Sequence, residues 1–165
     1  MNKGHSDFWR DELGAAAVKM ALVTPLLVTI LFGTFEAGHY FWNEHVVVKA
    51  VRDGARFAAR QPLAKINCSA KDATVESNII LLTRTGQISD ANAIPKVRNW
   101  LASDVTVTIA CNATNNTGIY NNVASGAPIV TVSANVDYPS LFEALGIIDS
   151  TAKLNARSSA AVVGI

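Results

Sequence analysis

The sequence predicts an α+β protein in which one long N-terminal helix packs on a small antiparallel sheet. Three observations predict it. Residues 15–35 form an apolar run with a single charge, Lys19. Beyond it, Lys49, Arg52, Asp53, Arg56 and Arg60 recur at helical spacing, opposite Val47, Val48, Val51, Ala55, Ala58 and Ala59. Further on, residues 105–109, 129–138 and 154–163 carry the patterns of three strands.

At 165 residues the chain has room for one domain and an anchor. Half of it is hydrophobic, 16% is charged and the net charge is +1, so nothing in the overall balance points to nucleic acid or an acidic substrate. Residues 1–14 are a polar leader ending in Gly14. A secretory signal has a short apolar core followed by a small-x-small cleavage site. Here the apolar run is too long and no such site follows it. Gly14–Ala15, before the run, is therefore the processing point, and the alternative is an uncleaved tail.

The run itself has the length of a membrane span, which needs ~20 apolar residues. Residues 15–36 are thus read as a transmembrane helix in a lipid bilayer. Lys19 sits about one turn inside the edge and can reach the headgroups. Pro25 deletes one helical donor, which transmembrane helices tolerate. Tyr40, Phe41 and Trp42 form an aromatic cluster suited to the far interface. The helix then continues over residues 37–61 with an apolar stripe that a domain must cover, until Gln61-Pro62 stops it.

Orientation is set by two opposing arguments. Lys49, Arg52, Arg56 and Arg60 outnumber Lys3 and Arg10, which by the positive-inside rule would keep the C-terminal part in the cytoplasm. Long domains, however, translocate regardless of charge, and the even pair Cys68 and Cys111 fits one disulfide in an exported domain. Two unpaired buried thiols are the alternative. Export carries more weight.

Residues 62–165 read as a small α+β domain. Asp72 caps a helix over 72–84 in which Val75, Ile79 and Leu82 share a face, and Gly86 ends it. The first strand turns Val105, Val107, Ile109 and Cys111 to one side, and the second turns Val130, Val132, Ala134 and Val136 inward. An Asn-rich loop over 112–128 separates them. Ser140 and Glu143 box a short helix over 141–145, which Gly146 closes. The stripe on the long helix is the partner for the apolar face of the sheet.

Several segments resemble the N-terminal signature of the TadE-like family. They are Gly14-Ala-Ala-Ala-Val, Ala21-Leu-Val-Thr-Pro-Leu-Leu, Leu31-Phe-Gly-Thr-Phe-Glu36 and Val51-Arg-Asp-Gly-Ala-Arg56. These proteins are pilin-like minor components of the tight-adherence (Flp-type) pilus apparatus. The resemblance implies a pilin-like fold and a bacterial inner-membrane protein, with a cytoplasmic N-terminus and a periplasmic C-terminal domain. It implies cleavage after Gly14 by a prepilin peptidase. It implies as partners other pilin-like subunits and the inner-membrane assembly components. Lys19, Pro25 and Glu36 would pack among transmembrane helices. One departure stands out: relatives carry Glu-Phe where this chain has Lys19-Met20. The acid neutralises a neighbour's new N-terminal amine, and a lysine would repel it in low dielectric.

Chemistry is sparse. Glu36-Ala-Gly-His39 has the spacing of carboxylate metal sites, but such sites need two copies and further glutamates. His39 and His45 diverge on a helix, the cysteines lack C-x-x-C spacing, and no phosphate-cradling glycine loop occurs. The expectation is a protein that is not an enzyme, uses no cofactor or metal and binds no nucleic acid. The leading reading is a pilus-assembly subunit. The other is an unprocessed single-pass envelope protein whose Asn-rich loop contacts a ligand.

Overall fold

The computed structural model describes residues 12–112, 114, 117–121, 123, 126–143 and 152–164. Most of the leader lies outside this set, as do parts of the Asn-rich loop. The chain has a long N-terminal apolar helix and a three-stranded antiparallel sheet, an α+β arrangement. It divides into two compact units, Met1–Gly38 and His39–Ile165. Helix α1 (Glu12–Ala59) contributes to both.

In the first unit α1 is apolar on every side, and its side chains from Gly14 to Phe35 are exposed. It is the one helix among the described residues long and apolar enough to cross a membrane. Its hydroxyls are satisfied within the helix. Thr24 Oγ1 donates to the Met20 carbonyl at 2.7 Å, Thr29 Oγ1 to the Pro25 carbonyl at 2.8 Å, and Thr34 Oγ1 to the Leu31 carbonyl at 2.8 Å. In hydrocarbon such internal bonds replace those that water would make.

The second unit is built on the other half of α1. Val47, Ala50, Val51, Ala55 and Ala58 are buried, while Lys49, Arg52, Arg56 and Arg60 are exposed. The stripe is shifted slightly from the sequence reading: Val48 and Ala59 are half-buried, whereas Ala50 and Gly54 are fully covered. The last carbonyls of α1 are also satisfied. Ala58 O accepts from Gln61 N at 3.1 Å and Ala59 O from Val163 N at 2.8 Å, so the end of the chain caps the end of the helix.

Helix α2 (Ala73–Thr85) begins at Asp72, whose carboxylate accepts from Thr74 N (2.9 Å) and Val75 N (3.1 Å). It ends at Gly86, where φ is 88°, a conformation that suits glycine. Its buried residues are Val75, Ile79 and Thr83. Leu82, expected on that face, is only half-buried. Thr83 takes the place because its hydroxyl donates to the Ile79 carbonyl at 2.7 Å, which lets a polar side chain be buried without loss.

Strands β1 (Val105–Asn112), β2 (Ala127–Asp137) and β3 (Lys153–Ala161) pair antiparallel in the order β1-β2-β3, with Val107 opposite Val132 and Val132 opposite Ser158. Val105, Val107, Val130, Val132, Ala134, Val136 and Leu154 form the buried face and share one core with the α1 stripe and α2. Of the short helix expected near 141–145, residues 144 and 145 and the closing Gly146 lie outside the described set. Ser140 Oγ does accept from Phe142 N at 3.2 Å.

Helix α1 crosses α2 at Gly54. A Cβ there would lie 2.1 Å from Thr83 Oγ1 and 3.7 Å from Val132 Cγ1. Replacing Gly54 by alanine gains about 1 kcal/mol of helix propensity. Forcing an atom into this packed crossing costs about 1–3 kcal/mol, so destabilisation wins. Thermal denaturation of detergent-purified Gly54→Ala is expected to show a lower midpoint, and Gly54→Ala combined with Thr83→Ala to recover part of the loss.

The cap of α2 has a pH signature. The Val75 N–H acts most strongly on Asp72; with the Thr74 N–H and Lys65 it holds the carboxyl below its usual range, against some desolvation. A depressed folded-state pKa gives stability that is present above about pH 4 and disappears as the pH falls through the folded value. Asp72→Ala is expected to melt below the parent at pH 7, and the gap to close on acidification below about pH 4.

Candidate functional site

The residues singled out by the sequence do not converge on one place. Gly14 and Ala15 lie in the first turn of α1, exposed. Lys19 is exposed on the apolar part of the helix and Pro25 lies inside it. Pro25 leaves the Ala21 carbonyl without its helical donor. Glu36 is buried, 5% exposed, and is the one ionisable residue among the buried polar residues described.

One turn on, in the second unit, a polar cluster forms that the sequence reading missed. Asn43 Nδ2 donates to the His39 carbonyl at 2.8 Å and lies 3.0 Å from His39 Nε2. An amide nitrogen only donates, so Nε2 accepts and Nδ1 carries the proton, which it directs at Tyr138 Oη 2.9 Å away. Tyr40 packs edge-on against Tyr138, with ring centroids 5.1 Å apart. Tyr40 also meets Phe41 edge-on, with ring centroids 5.9 Å apart. Tyr40 is half-buried against the sheet end, whereas Phe41 and Trp42 are 65% and 69% exposed. His39 and Asn43 border an open cleft of about 360 Å³ with Arg98, Pro139, Ser140 and Leu141.

A larger groove, about 680 Å³, lies between α1 and α2. Trp42, Val46, Ala50 and Leu82 form its apolar walls, and Lys49, Asp53 and Lys96 its polar rim. Lys96 passes over Gly86, where an added Cβ would meet its Cε at 2.9 Å. Desolvation lowers the Lys96 ammonium pKa, Asp53 raises it and Lys49 lowers it further. Among the described residues no group of three His, Cys, Asp or Glu side chains is arranged to hold a metal.

Cys68 and Cys111 are joined in a disulfide, with Cα atoms 5.8 Å apart. Cys68 sits in a tight turn held by Asn67, whose Oδ1 accepts from Ser69 N and Ala70 N at 2.9 Å each. Lys71 reaches the β1 edge, donating to the Val107 carbonyl at 2.8 Å. The link fastens the segment after α1 to the end of β1.

The missed residues gave faint signals. Trp100 is fully buried in a stretch with no clear periodicity, its carbonyl accepting from Arg84 Nε at 3.0 Å. The one hint is Val97 three residues before it, also buried. Tyr138 and His39 are 99 residues apart, and no local pattern pairs them.

Comparison with protein families finds that residues 14–56 match the family described as TadE-like protein. The match covers about a quarter of the chain: the apolar half of α1 and most of its two-faced half. Comparison with curated proteins and with solved structures finds no match.

The disulfide spans 43 residues of sequence. On the loop-entropy model such a closure is worth about 4 kcal/mol. Chemical denaturation is expected to show that much lost in Cys68→Ser/Cys111→Ser. Added reductant should weaken the parent and leave the double variant unchanged.

Proposed function

We propose that this chain is a membrane-anchored, pilin-like minor subunit that takes part in assembling a tight-adherence (Flp-type) pilus. One observation carries the reading. The TadE-like match begins at Gly14 and runs through a helix that is apolar on all sides and then two-faced. That layout suits a bilayer in the first part and a folded domain in the second.

In this reading residues 1–14 are a cytoplasmic leader, 15–36 the span, 37–61 its amphipathic extension and 62–165 a periplasmic domain in a bacterial inner-membrane protein. The disulfide supports export, because such bonds persist in oxidising compartments. A prepilin peptidase cuts between Gly14 and Ala15. The partners are other pilin-like subunits and inner-membrane assembly components, and the protein's part is structural rather than enzymatic. Glu36 and Pro25 pack among neighbouring transmembrane helices. Lys19, in the place of the family's acid, takes an acidic partner on another subunit, since an unpaired ammonium in hydrocarbon is costly.

Lys19 is also the observation that favours a second reading, an unprocessed single-pass envelope protein outside any filament. Intact-mass measurement on protein purified from membranes separates the two. A mature chain beginning at Ala15 is expected. A full-length chain in cells that carry the peptidase would sink the processing step and favour the second reading.

A further inference from the structure

The groove between α1 and α2 has a chemical complement in the loop next to it. The groove is apolar along Trp42, Val46, Ala50 and Leu82, with two lysines, Lys49 and Lys96, against one carboxylate, Asp53. The loop over residues 87–95 leaves the rim at Gly86 and returns to it at Lys96, whose N–H donates to the Arg84 carbonyl at 2.8 Å. It carries one charge, Asp90, and two exposed isoleucines, Ile88 (47% exposed) and Ile94 (86%). Ile94 is the most exposed of the large hydrophobic side chains described. The loop has a set shape: Asp90 Oδ1 accepts from Asn92 N at 2.8 Å and the Asp90 carbonyl from Ala93 N at 3.2 Å.

We infer that the 87–95 loop of one copy occupies the α1–α2 groove of a second copy, with Ile94 against its apolar wall and Asp90 facing Lys49 and Lys96. The loop is rooted at both ends on the rim of its own groove, and the exposure of Ile94 shows that it does not fill that groove itself. A projection and a matching recess side by side on one surface make a self-complementary patch. Two copies related by a two-fold axis then satisfy both at once and the assembly closes as a dimer. The apolar wall, rather than the charge, selects this occupant over an anionic lipid headgroup, which would meet the lysines but leave that wall and Ile94 uncovered. A groove of this size buries few side chains, well short of a standard interface of roughly 1,600 Å². The contact is therefore weak in dilute detergent and depends on both copies sharing a membrane, which raises their effective concentration. It rests on the anchoring part of the proposed function and not on entry into a pilus.

The test uses two differently tagged full-length copies expressed together, one with Asp90→Cys and the other with Lys49→Cys. Recovery of both in the membrane fraction checks the anchoring separately. After mild oxidation of membranes, a reducible dimer bearing both tags is expected. Its yield should be severalfold above that of Asp90→Cys paired with Asn155→Cys, which lies on the outer face of the sheet. In a second arm, without cysteines, Asp90→Lys on both copies should abolish co-capture of the two tags after crosslinking by an amine- and carboxyl-reactive reagent. Lys49→Glu/Lys96→Glu added to both should restore it, with melting curves confirming that each variant folds. A yield no higher than the control, with folded and membrane-bound chains, overturns the inference. So does protection of Lys49→Cys from a thiol reagent by anionic lipid vesicles when only a single copy is present.

Discussion

The second unit depends on the close approach of α1 to α2 and the sheet, made possible by the missing side chain at Gly54. With Thr83 Oγ1 within 2.1 Å of where a Cβ would stand, the two helices can meet over a buried hydroxyl only if one of them contributes no side chain. Thr83 has satisfied its donor on its own helix, at the Ile79 carbonyl, so the crossing buries a polar atom at little cost. Around that point Val51, Ala55 and Ala58 share one buried cluster with Val130 and Val132. The run Asp53-Gly54-Ala55 thus has a packing reason within this chain.

The same helix meets two different requirements along its length. In its first half every side chain from Gly14 to Phe35 is exposed, and the threonines return their hydroxyl bonds to the preceding turn. Such a surface is stable where the surroundings are themselves apolar. In its second half apolarity narrows to one stripe, and Lys49, Arg52, Arg56 and Arg60 are exposed away from it. The end of α1 is closed by the far end of the chain: Val163 N donates to Ala59 O, and Leu63 N to Gly164 O at 3.3 Å. A Cβ on Gly164 would stand 2.1 Å from the Gln61 carbonyl oxygen, so glycine alone fits there. Tyr120 adds a bond from its hydroxyl to the Val162 carbonyl at 2.7 Å.

Much of this was legible in the sequence, for identifiable reasons. The long helix, α2 with its Asp72 and Gly86 caps, and the inward set Val130, Val132, Ala134 and Val136 all follow from local periodicity and capping chemistry. What escaped was non-local or polar. Thr83 displaced Leu82 from the core because a hydroxyl bonded within its own helix behaves as a small apolar group, which hydrophobic periodicity cannot register. Tyr40 also packs on Tyr138, just past β2, a contact between residues far apart in sequence that no local pattern announces. The His39–Asn43–Tyr138 bonds join residues 99 apart in sequence, and the stretch holding Trp100 has neither helical nor strand period.

Fastening has a consequence for how the second unit can work. Its sheet is held by the disulfide at the end of β1 and by the bonds that the C-terminal segment makes to α1 after β3. The constraint lies at both outer strands, so the sheet cannot easily shear away from the helix stripe it covers. The loop over 87–95 is the opposite case. It carries exposed isoleucines and joins the body at Gly86, through the bonds of Gln87 to Thr85 Oγ1, and at Lys96. The loop sets an apolar, singly charged projection beside a sheet whose exposed outer face is Thr-, Ser- and Asn-rich, which favours recognition through that projection. The groove beside it offers the opposite charge and the same apolar character, so attraction between copies can arise here without any change in the fold.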